Sequence, residues 1–397
     1  MRCQAPLILL APADFARCLS SDLLYTCAQE ICQQRQGGHS FVNHNSLIDL
    51  AHAKMVLLKA SEYSLALGLT DAASVKQRAR WDTVGDNLAD LPLTEDSQAF
   101  PGKTPPSPLT GTRRVWSESL IEPSVLGGES EGKGANAWSS ACELTEKGGL
   151  VARNPGTPCL LEPAVFSTNY MYPIIHFSAI HPGGLVGIHS DVYSGNDTAA
   201  HAELLEIARN TVWGDNERSG WRPVNGLCLA WPSATRVTDG ALPGASKLLL
   251  DRFESALRGT MMPNFWPSMS GGGIEQVGAT LAINELLLQS HEGFLALFPA
   301  WGAGAAASFT TLRTRGAFLV SASIDSTRTV AAGVRIVSEA GGVCRVLSPW
   351  KEAPRVVGAG GAAVDVREET VRGVAVHAFD TEKGGAYRMS PPASATQ

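Results

Sequence analysis

The chain has 397 residues, enough for two or three domains with substantial cores. Its formal net charge is −6 and no basic block stands out, which excludes the electrostatic footprint of a nucleic-acid binder. No apolar run reaches the length of a membrane span, so no membrane partner is expected.

Other compositional features are bland. Charged residues are 18% of the chain, while 40 Gly and 23 Pro imply many turns. The opening PLILLAP patch follows a single Arg and is brief and proline-broken, so it makes a poor signal peptide and leaves the compartment open. The eight Cys, at 3, 18, 27, 32, 142, 159, 228 and 344, form no CxxC pair and have no His at metal-ligand spacing. They read as structural thiols, with no metal site.

Taken in order, residues 1–92 are expected to be helical. Phe15, Leu19, Leu23 and Ala28 fall near helical spacing in a run that ends before Gly37-Gly38. A second helix starts after Asn45-Ser46 and stops at Gly68, and Asp71 opens a third. Residues 93–165 are rich in Pro, Gly, Ser and charge with few apolar anchors, and read as a disordered or inserted segment.

Helical organisation is expected again over 166–302. STNYMYPIIHFSAIHPGGLVG carries Asn169, His176 and His181, and a helix capped by Asp197 follows. Then come Trp213, Trp221, Asn225 and Trp231. Aromatic rings can stack on the apolar face of a sugar while amides bind its hydroxyls; packing between helices is the competing reading for each Trp. A further helix spans ALPGASKLLLDRFESALRGTM.

The most informative stretch is GGGIEQVGATLAINELLLQSHEGFLALFPAW, from Gly271 to Trp301. Three glycines lead into an apolar run long enough for four helical turns, with His291 in its last turn before Gly293. Glu275 stands where the glycine turn meets the helix. A carboxylate there is held as the anion by free N–H groups, and the glycines let a ligand come close. It can serve as a general base, or simply cap its own helix. From Ser308 the period changes to two, predicting about six short strands in a β domain over 303–380. A flexible tail over 381–397 completes the expectation.

The motifs GGGIE, AINELLLQSHEG, LFPAW and TLRTRGAF, in that order, resemble the end of the catalytic domain of glycoside hydrolase family 95, the α-L-fucosidases and related exo-acting enzymes. The resemblance implies a mainly α fold: part of an (α/α)6 toroid, the six-hairpin glycosidase architecture, followed by a small sandwich-like all-β domain. Seven or eight helices can be counted, fewer than a full toroid needs. It implies exo-acting, inverting hydrolysis of an oligosaccharide or polysaccharide, with Glu275 as the catalytic residue. Asn169, His176, His181, Trp213, Asn225, Trp231 and His291 would be its substrate-binding residues. The family's Asp-Gly-Asn-Phe-Gly aspartate falls on Ile274, beside Glu275, so the match departs from the pattern at the key carboxylate. No cofactor is implied, since acid–base hydrolysis uses side chains and water. The alternative is a catalytically inactive or truncated carbohydrate-binding relative.

Overall fold

The computed structural model describes residues 29–30, 43–44, 47–91, 93–95, 114–116, 142–144, 150–152, 177–189, 192–194, 197–218, 221, 226–240, 244–264, 273–302, 304–330, 333–350 and 352–392. The chain divides into two compact units, Met1–Thr104 with Arg113–Asn169, and Pro105–Thr112 with Tyr170–Gln397.

In the first unit, strands β1 (Gln29–Glu30) and β2 (Asn43–His44) pair antiparallel. Helix α1 (Leu47–Ala66) and helix α2 (Ala72–Asp86) then form a hairpin. The turn between them is set locally: Gly68 takes a left-handed φ of 67°, and the Asp71 carboxylate accepts from the N–H groups of Ala73 and Ser74. Those bonds, the Ser74 hydroxyl foremost, hold its carboxyl below the ordinary carboxylate range. Between the helices, the Lys54 ammonium donates to the Gly85 carbonyl at 2.8 Å, and Arg78 donates to the Ser64 hydroxyl. Two further hairpins follow, β3 (Leu93–Glu95) with β4 (Arg114–Trp116) and β5 (Cys142–Leu144) with β6 (Leu150–Ala152).

Among its described residues the second unit has the helices α3 (Thr198–Arg218), α4 (Gly226–Val237), α5 (Ala245–Thr260) and α6 (Gly273–Leu287). Its strands are β7 (Leu288–Gln289), β8 (Leu295–Leu297), β9 (Ala307–Arg313), β10 (Phe318–Ile324), β11 (Val334–Ser338), β12 (Gly342–Leu347), β13 (Arg355–Val357), β14 (Ala363–Val364), β15 (Arg367–Val371), β16 (Val374–Thr381) and β17 (Ala386–Ser390). They build two sheets, an antiparallel one ordered β14-β13-β17-β11-β10-β9 and a mixed one ordered β15-β16-β12-β8-β7. The single parallel pairing there is β8 with β12.

Alternation puts one face of each sheet into a shared core. In β10, Phe318, Val320, Ala322 and Ile324 point inward, and Ile336, Val346, Phe379 and Met389 meet them from neighbouring strands. Leu295 and Leu297 of β8 join this core, whereas Ala296 points to the opposite face with Phe294 and Val376. Burying one Phe or Ile side chain contributes roughly 1.5–3 kcal/mol, so this core is the main support of the sandwich. The helices pack on one another, α4 along α6 and α3 against α4. Where the α4 end meets the chain after β8, a Cβ on Gly240 would overlap the Arg328 guanidinium and the Trp301 carbonyl, so the close approach requires glycine there.

The expectation of a mainly α chain, part of an (α/α)6 toroid, is therefore corrected. Among the described residues there are 6 helices beside sheets of 5 and 6 strands, with 39% helix and 27% strand. Part of the reason lies in the run LLLQSHEGFLALF. Read as a helix end and a packed connection, it instead leaves the helix at Leu287 and becomes β7 and β8, the edge strand of a sheet and the strand next to it. A continuous apolar run has no period with which to tell the two apart. The tail also changes: Ala386–Ser390 is an interior strand, and Met389 is fully buried. Within 93–165, the described residues pair as strands. Within the first expected helix, Gln29–Glu30 pair as strand too.

Candidate functional site

Helix α6 begins at Gly273, directly after Gly271 and Gly272, so Glu275 falls in its first turn, among the N–H groups that have no partner within the helix. The same helix carries a second acid, Glu285, near its other end. Glu285 is held by the guanidinium of Arg236 on α4 through two bonds, Nε to Oε2 at 3.1 Å and Nη2 to Oε1 at 2.7 Å. The pair is buried, and the third Arg236 nitrogen donates to the Ile180 carbonyl at 3.2 Å. Two parallel bonds to a planar fork fix orientation as well as charge. The Gln289 amide ties the end of α6 to α4, donating to the carbonyls of Thr235 and Glu285, both at 3.0 Å.

His291 lies in the turn after β7, and 5% of its surface is exposed. Its Nδ1 stands 3.9 Å from Glu285 Oε2, close enough for an ion pair if the ring were charged. It is not charged. Burial first, then the guanidinium groups of Arg236, Arg315 and Arg372, hold the imidazole well below its ordinary range, and Glu285 is already engaged by Arg236. Neither ring nitrogen has a hydrogen-bond partner among the described residues. Above it lie Gly184 and Gly187; a Cβ on Gly187 would stand 3.4 Å from His291 Nε2 and 2.6 Å from Glu292 Oε1. Nearby, His189 packs on Phe294 with ring centroids 5.9 Å apart. Burial lowers its titration to about 4, opposed by Asp239.

The expected substrate residues divide into three groups. Asn169, His176 and Asn225 lie outside the described residues, and for Glu275 only the helical position is described. His181 is half-buried in the turn before Pro182, its N–H donating to the Phe177 carbonyl at 2.9 Å. Trp213 and Trp231, each 1% exposed, belong to a ring stack. Trp213 meets Trp221 edge-on at 5.0 Å, Trp221 meets Trp231 at 4.5 Å, and Trp231 meets Phe253 edge-on at 4.9 Å. The indole N–H of Trp213 donates to the Thr238 hydroxyl at 3.3 Å. These rings lie on one another, between helices, rather than on a surface open to a sugar.

His291 is likewise a buried group after the helix, not a cation in its last turn. Arg236, Glu285, Gln289, His189, Arg315 and Arg372 had not been singled out from the sequence. A signal existed for the first two. Arg236 is the lone charge in GLCLAWPSATRVT and Glu285 the lone Asp, Glu, Lys or Arg between Gln276 and His291, and isolated opposite charges on apolar helices call for each other.

No described helix is long and apolar enough to cross a membrane. No protein-family model matches the chain, and no curated protein matches it either.

Proposed function

We propose that the protein is an exo-acting glycoside hydrolase that inverts the anomeric centre, with Glu275 as the general base that activates water. The observation that carries this reading is the start of α6 at Gly273, which sets Glu275 in the first helical turn, where backbone N–H groups lack partners within the helix. Helix-terminal N–H groups favour the carboxylate form that a base needs. Glycines at 271 to 273 carry no side chains that could block a ligand's approach to the backbone. The likeness of the GGGIE, LLLQSHEG and LFPAW motifs to family 95 supplies the substrate class, an oligosaccharide or polysaccharide. Inversion also needs a general acid on the opposite face of the sugar, roughly 6.5–9.5 Å from the base.

The remainder of α6 supports the reading mechanically. A base works only if its helix holds still to within a fraction of an ångström. The Arg236–Glu285 fork and the Gln289 amide fix α6 to α4 and so define where its N-terminus stands. The proposal is tested with Glu275→Gln, which keeps size and hydrogen bonding but cannot accept the proton. Turnover should vanish while the thermal melt stays in place. Undiminished turnover in that variant refutes it.

A further inference from the structure

His291 is enclosed by charged side chains from several separate elements. Arg236 comes from α4 and Glu285 from α6. Arg315, in the turn between β9 and β10, donates to the His291 carbonyl at 3.2 Å. Arg372, in the turn between β15 and β16, donates to the Gly184 carbonyl, also at 3.2 Å. Glu292 and His189 complete the surroundings. One arginine from each sheet thus reaches to the backbone beside the ring: Arg315 holds the turn that carries it, and Arg372 holds the 177–189 segment that covers it. We propose that this junction between the helices and the sandwich is an acid-operated clasp, closed while His291 and His189 are neutral and released when they take up protons.

The geometry explains why a proton is not tolerated inside. Glu285, the carboxylate nearest to Nδ1, is already bonded through both oxygens to Arg236. A protonated His291 would add a further cation to Arg236, Arg315 and Arg372 in a buried site, where neither ring N–H has a hydrogen-bond acceptor among the described residues. His189 faces Asp239, His201 and His291; Asp239 offsets only part of its burial. Opening exposes both rings to water, where they bind protons near the ordinary 6.5.

The direction follows from linkage. The closed clasp binds the His189 proton only near 4 and the His291 proton at well below 6.5, so opening takes up protons as the pH falls below 6.5. Each ring then raises the opening equilibrium by up to about tenfold per pH unit. Between about pH 7.5 and about pH 5 that amounts to roughly 30-fold for His189, and His291 adds to it in the same direction.

Hydrogen exchange of the full chain, read by mass spectrometry at those two pH values and corrected for intrinsic exchange, measures it. Peptides covering 177–189 and 288–297 should lose protection on acidification by at least roughly 30-fold, while those covering 318–338 keep theirs. His189→Phe, which keeps the ring contact with Phe294, should remove roughly 30-fold of that loss, and His291→Phe should shrink it as well. If His291→Phe does not fold, His189→Phe and the wild-type comparison still decide. Protection independent of pH, equal loss across the sandwich, or an undiminished response in His189→Phe each overturns the proposal.

Discussion

Breaking the Arg236–Glu285 fork is the sharpest test of what holds α6 in place. The pair is buried, at 5% and 11% side-chain exposure, and joined by two bonds, so removing either partner strands a charge where water cannot reach it. A loss of about 3–5 kcal/mol is expected for Glu285→Leu alone. Arg236→Met should fall at the upper end, because it also strips the donor from the Ile180 carbonyl. The double variant removes both charges and fills the space with apolar groups, so it should be less damaged than the two single losses added together. The expected coupling is at least about 2 kcal/mol. Against a typical domain stability of about 5–15 kcal/mol, the single variants should show a large shift of the urea midpoint. Urea titration followed by tryptophan fluorescence reports on the helices directly, since Trp213, Trp221 and Trp231 lie within or between them. Single variants that each cost under about 1 kcal/mol, or losses that simply add, would refute the account of this pair.

The ring stack and the buried thiol give two further expectations. Trp231→Ala should destabilise by about 3–5 kcal/mol, because the indole touches both Trp221 and Phe253. A variant of full stability that had lost binding to an oligosaccharide column would return Trp231 to a sugar-facing role. Burial pushes the Cys344 thiol up to about 12, opposed by Arg345, so almost none of it is thiolate near neutral pH. Iodoacetamide labelling of the native protein with peptide mapping should leave Cys344 unmodified until denaturant is added, and rapid native labelling would contradict its burial.

How much of this was legible in the sequence depended on whether a segment has a period. FLVSASI alternates strictly, and its alternate residues Phe318, Val320, Ala322 and Ile324 are those that face the sandwich core. Gly68 and Asp71 carry their own backbone instructions, and the break between α1 and α2 falls at those residues. By contrast, LLLQ and FLALF are almost wholly apolar; nothing local says that they form β7 and β8, or that β8 pairs with β12, whose residues lie some 50 positions further on. Helix α4 carries Pro232 inside it, a residue that ordinarily argues against a helix interior. The Arg236–Glu285 pair joins residues 49 positions apart, and only their isolation among apolar neighbours hinted at it. The roles given to Trp213, Trp231 and His291 depended on exposure, which no single-sequence pattern encodes, and the fold buries all three.

Glu275 at the start of α6 is proposed to act as the base of a glycosidase. The most direct measurement is hydrolysis of a panel of aryl glycosides and plant or algal oligosaccharides by the purified full chain, with Glu275→Gln alongside. Release of a single monosaccharide of inverted anomeric configuration, lost in the variant at an unchanged melting temperature, is the predicted result. A folded wild-type protein that hydrolyses nothing on the panel, or a variant as active as the wild type, would contradict it.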